Sequence, residues 1–142
     1  MIECPDNTPE IRLESGILLR PMTVDLVSDA YVSWMRDPDV TRFLETRWHE
    51  QNKETVLAFV ETMHKSKNQF FWGIFLESGA CHVGTVKLGP VDIYNAYADV
   101  SFLIGLKSAR GKGVATQAVR AVCQFGFEQL KLHRVRAGYI YG

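Results

Sequence analysis

The 142-residue chain lacks a cysteine framework. Its three cysteines, Cys4, Cys81 and Cys123, have no C-x-x-C spacing, and an odd, scattered set argues against a disulfide framework or a zinc site. Long apolar runs are missing as well: none reaches the roughly 18 residues that a membrane-spanning helix needs. Net charge is absent, because 16 Lys and Arg balance 16 Asp and Glu, so the overall balance points neither to a polyanion-binding protein nor to a membrane-surface protein. The opening "MIECPDNTPEIRLESG" is acidic and holds prolines where a secretory signal would be basic and then apolar. These absences predict a cytoplasmic protein with neither membrane nor nucleic acid as partner. His49, His64, His82 and His133 stand without ligand spacing, and no metal is expected.

What is present suffices for one packed domain, since 46% of residues are hydrophobic and 11% aromatic. Residues 1–15 read as a polar lead-in and 16–142 as the domain. "GILLRPM" suits a first strand, closed by Pro21. Thr23 or Asp25 could cap a helix with Val27, Ala30, Tyr31 and Trp34 on its apolar side, ended by Asp37-Pro38. After the polar loop "TRFLETRWHEQN", a second helix carries Val56, Leu57, Val60 and Met63 at helical spacing. Three antiparallel strands follow, "QFFWGIFLES", "HVGTVKLGP" and "YADVSFLIG", joined at "SGA" and "VDIYNA". In the next segment Gln117, Arg120, Gln124, Glu128 and Lys131 form one wet stripe on an otherwise apolar helix, expected to be mostly buried, and "RVRAGYIYG" is a last strand. The order β-α-α-β-β-β-α-β predicts an α+β sheet protein. Cys123 falls on the apolar helix and reads as a small hydrophobe, and Tyr94 and Tyr97 as packing residues.

The segment that stands out is "RGKGVA", between the strand ending near Gly105 and the long helix. A helix N-terminus offers unpaired N–H groups and the positive end of the peptide dipole, and glycines let an anion approach the main chain. Arg110, Gly111, Lys112, Gly113, Val114 and Ala115 could therefore hold a pyrophosphate, although any tight strand-to-helix turn also favours glycine. A dinucleotide fingerprint does not fit, because Gly105 lies too far upstream and position 116 is threonine. No Gly-Lys-Ser/Thr of a P-loop follows.

Residues 110–115 resemble the R/Q-x-x-G-x-G/A acyl-CoA fingerprint of the GCN5-related N-acetyltransferase (GNAT) superfamily. The stretch from Tyr97 to Tyr139 is similar to the segment around that fingerprint in the RimJ/RimL-like branch of ribosomal-protein N-terminal acetyltransferases, and "LRPMTVDLVSDAYVSWMRDPDVTRFL" to that branch's opening strand and helix. The resemblance, over residues 17–142, implies a mixed, mainly antiparallel sheet flanked by helices. It implies a direct transfer of acetyl from acetyl-CoA to a primary amine such as a protein N-terminus or an amino sugar. The pantetheine arm would lie beside residues 102–106, which include Leu103, Ile104 and Gly105, and the pyrophosphate on the N–H groups of Gly111, Gly113, Val114 and Ala115. A backbone N–H near Leu103 would meet the thioester oxygen.

A neutral amine is the nucleophile, so a base must accept its proton. Asp99 stands where the superfamily often has a glutamate; the competing reading is a half-exposed carboxylate with no task. The superfamily builds its amine-side cleft between the first two helices, where Arg42, Glu45, Arg47, Trp48 and His49 offer charge and a stacking surface. The superfamily's final helix, which often carries the general acid, and its last strands have no counterpart before Gly142. The resemblance thus implies a C-terminally incomplete form, weakly active at best and either poorly soluble or a homo-oligomer through its last strand. Tyr139 and Tyr141 are not assigned the acid's role. The rival readings are an acyl-CoA-binding or sensing module without catalysis, and an unrelated interaction domain whose glycine turn is only structural.

Overall fold

The computed structural model describes residues 4, 5, 7–37, 52–76, 79–109, 111 and 113–137. Six strands form one sheet in sequence order: β1 (Ile11–Arg12), β2 (Leu18–Pro21), β3 (Phe70–Leu76), β4 (Cys81–Leu88), β5 (Tyr97–Ile104) and β6 (Arg134–Ala137). All neighbours are antiparallel except β5 and β6, which run parallel with Tyr97 beside Arg134 and Asp99 beside Arg136. The parallel step requires a crossover, and helix α3 (Val114–Glu128) supplies it. Helices α1 (Asp29–Arg36) and α2 (Lys53–Lys65) lie between β2 and β3 in the chain. The mixed α+β sheet expected from the sequence is the fold found, with one addition. The polar lead-in contributes β1, whose Ile11 pairs with Leu19 and whose Arg12 pairs with Leu18.

Strand alternation sends apolar side chains to both faces of the sheet, so two cores form. On one face Trp72, Ile74, Val86, Leu88, Ala98 and Val100 meet Val114, Ala118, Val122 and Phe125 of α3. On the other, Met22, Phe71 and Leu103 meet Tyr31, Trp34 and Met35 of α1 and Val56, Val60 and Met63 of α2. Of β5, only Leu103 is part of this second core.

Helix starts follow local hydrogen-bonding chemistry. Asn52 caps α2 by accepting from the Thr55 N–H at 2.9 Å, while the Thr55 hydroxyl accepts from the Asn52 N–H at 2.9 Å. The first helix starts later than the sequence suggests. Neither Thr23 nor Asp25 caps it: Val24–Leu26 form a separate 3-10 turn, and Ser28 caps α1 by accepting from the Tyr31 N–H at 3.1 Å. Ala30 faces solvent, and Met35 instead packs inward with Tyr31 and Trp34.

Helix α3 ends at Glu128, so Lys131 leaves the wet stripe; it sits in the following turn with φ +59°. The helix is apolar on one side only, with Phe127 exposed. Tyr94, expected to pack, is 78% exposed on the loop between β4 and β5, where Asp92 takes the local N–H donors instead. No helix among the described residues is long and apolar enough to cross a membrane.

Candidate acyl-CoA and acceptor site

The glycine-rich turn is built as an open cradle. Gly111 and Gly113 have φ +77° and +75°, and nothing stands within 4 Å of where a Cβ would be on either. Their requirement for glycine is therefore conformational, since L side chains in the left-handed region cost energy. Gly113 is the N-cap of α3, but it brings no side chain to accept from the first turn, and that turn holds no acidic residue. Among the described residues, the N–H groups that start this 15-residue helix thus have no side-chain acceptor, the arrangement that suits an oxyanion. Val114 is buried and Ala115 half-buried beside it. Arg110 and Lys112 lie outside the described residues, as do Arg42, Glu45, Arg47, Trp48 and His49 of the expected acceptor loop and Tyr139 and Tyr141.

The strand leading to the turn ends in an irregularity. Gly105 and Leu106 both donate to the Val83 carbonyl, at 2.9 and 3.2 Å, opposite a register shift between β3 and β4. Two glycines make this junction sterically feasible. A Cβ on Gly84 would collide with the Leu103 carbonyl, and one on Gly105 with the Trp34 indole. Trp34 belongs to a ring cluster in which His82 lies 5.9 Å from Tyr31, 5.1 Å from Trp34 and 4.6 Å from Phe75. The His82 Nε2 is 2.8 Å from the Gly84 carbonyl, which can only accept, so Nε2 carries the proton. Burial pushes the His82 pKa down, an effect that the Gly84 hydrogen bond opposes, and favours the neutral ring.

Hydrogen-bond parity on β5 decides which backbone groups face which edge. The Gly89 N–H donates to the Asp99 carbonyl at 2.8 Å, and Gly105 donates to Val83. Antiparallel alternation then turns Asp99, Ser101, Leu103 and Gly105 toward β4 and Ala98, Val100, Phe102 and Ile104 toward the β6 side. The Leu103 N–H, expected to meet the thioester, is directed at Thr85. On the β6 side the corresponding N–H groups are those of Phe102 and Ile104. Phe102 is half-exposed and, with Ala115, Thr116, Val119 and Arg120, borders a hollow of ≈ 350 Å³ at the start of α3. A larger hollow of ≈ 1260 Å³ lies between residues 4–15 and α3, and none of the described turn residues line it.

Asp99 projects from the middle of β5 with its side chain 50% exposed. Its Oδ1 accepts from the Arg136 Nε at 2.9 Å. The Arg136 guanidinium also lies 4.6 Å from the Tyr97 ring centroid, and that of Arg134 lies 5.2 Å from it. Sequence reading missed this cluster, as it did Trp34 over Gly105, Gly84 and His82. The clue to Gly84 was a lone glycine inside a strand pattern. The clue to the arginines was the run "KLHRVR", which holds no acidic residue.

Comparison with known proteins bears on the family and the fold. The chain is 35% identical over 91 residues to the "Probable N-acetyltransferase YjcK" of Bacillus subtilis (strain 168), a match covering 63% of this chain and 49% of that one, so it spans about half the length of that relative. It is 26% identical over 145 residues to Alpha/beta-tubulin-N-acetyltransferase 9 of Homo sapiens, covering 92% of this chain and 68% of the relative. Among solved structures, RimL, a ribosomal L7/L12 alpha-N-protein acetyltransferase in complex with coenzyme A, superposes with a TM-score of 0.77 at 15% identity, covering 89% of this chain and 72% of its own. At that identity the likeness speaks for the fold. The family model described as "Acetyltransferase (GNAT) domain" matches residues 17–140, and with so much of its length matched the chain belongs to the GNAT acetyltransferase family.

Proposed function

We propose that the protein is an acetyl-CoA-dependent N-acetyltransferase that moves an acetyl group to a primary amine by direct attack on the thioester. The observation that supports this most is the turn: two left-handed glycines with open space around them lead into a long helix that has no side-chain cap and no acid in its first turn. A purely structural turn gains from a capping side chain; an anion site gains from its absence. The residues fit acetyl-CoA, with Gly111, Gly113, Val114 and Ala115 offering backbone N–H groups to its pyrophosphate. Leu103, Ile104 and Gly105 line the strand end that the pantetheine arm would follow, and Arg110 and Lys112 add charge.

In the chemical step the neutral amine attacks the thioester carbonyl, the carbon–sulfur bond breaks, and the proton that the attacking nitrogen loses goes to the departing sulfur, so that CoA leaves as the thiol. The amine must arrive neutral, and Asp99 takes its proton. Its Oδ1 is held by Arg136, which leaves Oδ2 to act directly or through a water. An N–H on the β6-side edge of β5, at Phe102, is better directed than that of Leu103 to stabilise the oxyanion. Arg42, Glu45, Arg47 and Trp48 stay assigned to the amine's side chain or flanking groups, and no metal has a part in the scheme.

The Asp99–Arg136 ion pair also favours a second reading, an acyl-CoA-binding module in which the carboxylate has only a structural partner. Two measurements separate the readings. Calorimetric titration with CoA tests the turn, and thiol release from acetyl-CoA with a panel of primary amines tests turnover. Binding with turnover supports the enzyme and binding without turnover supports the module. Absence of binding removes both.

A further inference from the structure

We infer that the face of β5 and β6 around Tyr97 and Asp99 recognises an oxyanion on the acceptor, so that the preferred acceptor is a primary amine bearing a phosphate or carboxylate. This rests on the acetyltransferase reading above and names its substrate class. Four observations converge. First, Arg134 and Arg136 stand two residues apart on β6 and both lie against the one Tyr97 ring, at 5.2 and 4.6 Å. A shared aromatic surface holds two like-charged groups closer together than they would settle in water, and the planar guanidinium is the side chain best shaped for a carboxylate or phosphate.

Second, the charges do not cancel. Asp99 pairs with Arg136, while Arg134 has no carboxylate within ion-pair distance among the described residues. Residues 129–137 hold Lys131, Arg134 and Arg136 and no Asp or Glu. Third, among the described residues the face is open. Helix α2 packs on β3 and α3 on the opposite side of the sheet, and of β5 only Leu103 enters the core made with α1 and α2. Asp99 and Arg136 accordingly keep 50% and 52% of their side chains exposed.

Fourth, the register places the anion relative to the amine. Asp99 is aligned with Arg136, and Arg134 is two residues back along the strand beside Tyr97. At the usual rise per residue of a strand the two backbone positions are ~7 Å apart, so an amine at Asp99 and an anion against Arg134 would belong to one molecule with a few bonds between them. Amino-sugar phosphates and amine-terminal dipeptides with an acidic second residue have this spacing. A polyamine would place a second cation on the arginines and be disfavoured.

The test uses the 142-residue chain and its Arg134→Gln variant, both checked for folding by circular dichroism. Thiol release is measured with glucosamine 6-phosphate against glucosamine, and with glycyl-glutamate amide against glycyl-glutamine amide; the two pairs distinguish phosphate from carboxylate as the recognised group. The expected result is a kcat/KM at least about tenfold higher for one or both anionic amines, falling toward parity in Arg134→Gln and in high salt. Turnover with no such preference, or a preference that survives in Arg134→Gln, overturns the inference and leaves the acetyltransferase reading standing. If no amine is turned over, that reading fails, and calorimetry on the CoA-saturated protein decides the inference by itself. Tighter binding of glucosamine 6-phosphate or glycyl-glutamate amide than of its neutral counterpart, weakened by Arg134→Gln, supports it; equal binding overturns it.

Discussion

At the scale of single residues, Gly113 is the position where backbone conformation and ligand chemistry meet. Valine there would have to adopt φ +75°, at a cost of about 1–2 kcal/mol, and would put a branched side chain where an anion must approach the N–H groups. Gly113→Val is expected to remain folded with a lowered Tm and to lose CoA affinity by an order of magnitude or more, measured by calorimetry. Unchanged affinity in a folded variant would remove the turn from CoA binding. For Asp99 the expected signature is kinetic. Asp99→Asn should bind CoA as the parent does and lower kcat about 10- to 100-fold at neutral pH, with partial recovery as pH rises because more free amine is already neutral. A variant with parental rates at every pH would free Asp99 of any part in proton transfer.

His82 makes a third residue-level prediction, about stability. Burial among Tyr31, Trp34 and Phe75 lowers its folded pKa below the unfolded value of ~6.5, so in that window the unfolded chain binds more protons than the folded one. Stability from this group is complete above pH ~6.5 and declines as pH falls toward the folded pKa. Thermal unfolding at pH 7.5 and 5.5 should show a larger loss for the parent than for His82→Phe. Equal losses would mean that the fold does not lower the His82 pKa.

At the scale of elements, the junction of β4, β5 and α1 depends on a glycine and a tryptophan that fit each other. Trp34 lies where a side chain on Gly105 would be, so Gly105→Ala should destabilise by about 1–3 kcal/mol through overpacking. Trp34→Leu should destabilise by leaving a void. The double variant should be less destabilised than the sum of the two, because the smaller side chain accommodates the new methyl group. Denaturant unfolding of the four proteins gives the coupling, and strict additivity would show that the two residues do not meet. This junction was half legible in the sequence. The apolar spacing of α1 exposed Trp34 as a core residue and the strand pattern ended near Gly105, but nothing local could say that the two face each other.

At the scale of the whole molecule, the lead-in is tied to the sheet through Trp72. Its indole N–H donates to the Pro9 carbonyl at 2.6 Å, while its ring meets that of Phe125 at 5.4 Å, so one side chain joins residues 7–13, the central sheet and α3. Trp72→Phe keeps most of the apolar packing but removes the donor. Hydrogen exchange should then quicken in residues 7–13, with the central strands still protected, and Tm should fall by a few degrees. Exchange unchanged in the lead-in would show that β1 pairing and the packing of Cys4, Ile11 and Leu13 hold it without the Trp72 bond.

What the sequence determined by itself were the features encoded in short spans. Helical and strand periodicities located α1, α2, α3 and β2 to β6, and "RGKGVA" marked the turn, because a left-handed glycine and a bare helix start are properties of a few consecutive residues. Its errors were local as well: Ser28 outcompeted Thr23 and Asp25 as a cap because its hydroxyl reaches the Tyr31 N–H. Only the tertiary structure decided the register. Hydrogen-bond parity on β5 turned the Leu103 N–H to β4, and the parallel pairing with β6 set Arg136 against Asp99 and both arginines against Tyr97. These partners stand 37 residues apart in the chain, and a strand's periodicity is the same in either register and either direction. Which residues meet depended on how α3 carried the chain back to the sheet, a geometry set by the packing of Val114, Ala118, Val122 and Phe125 on the central strands.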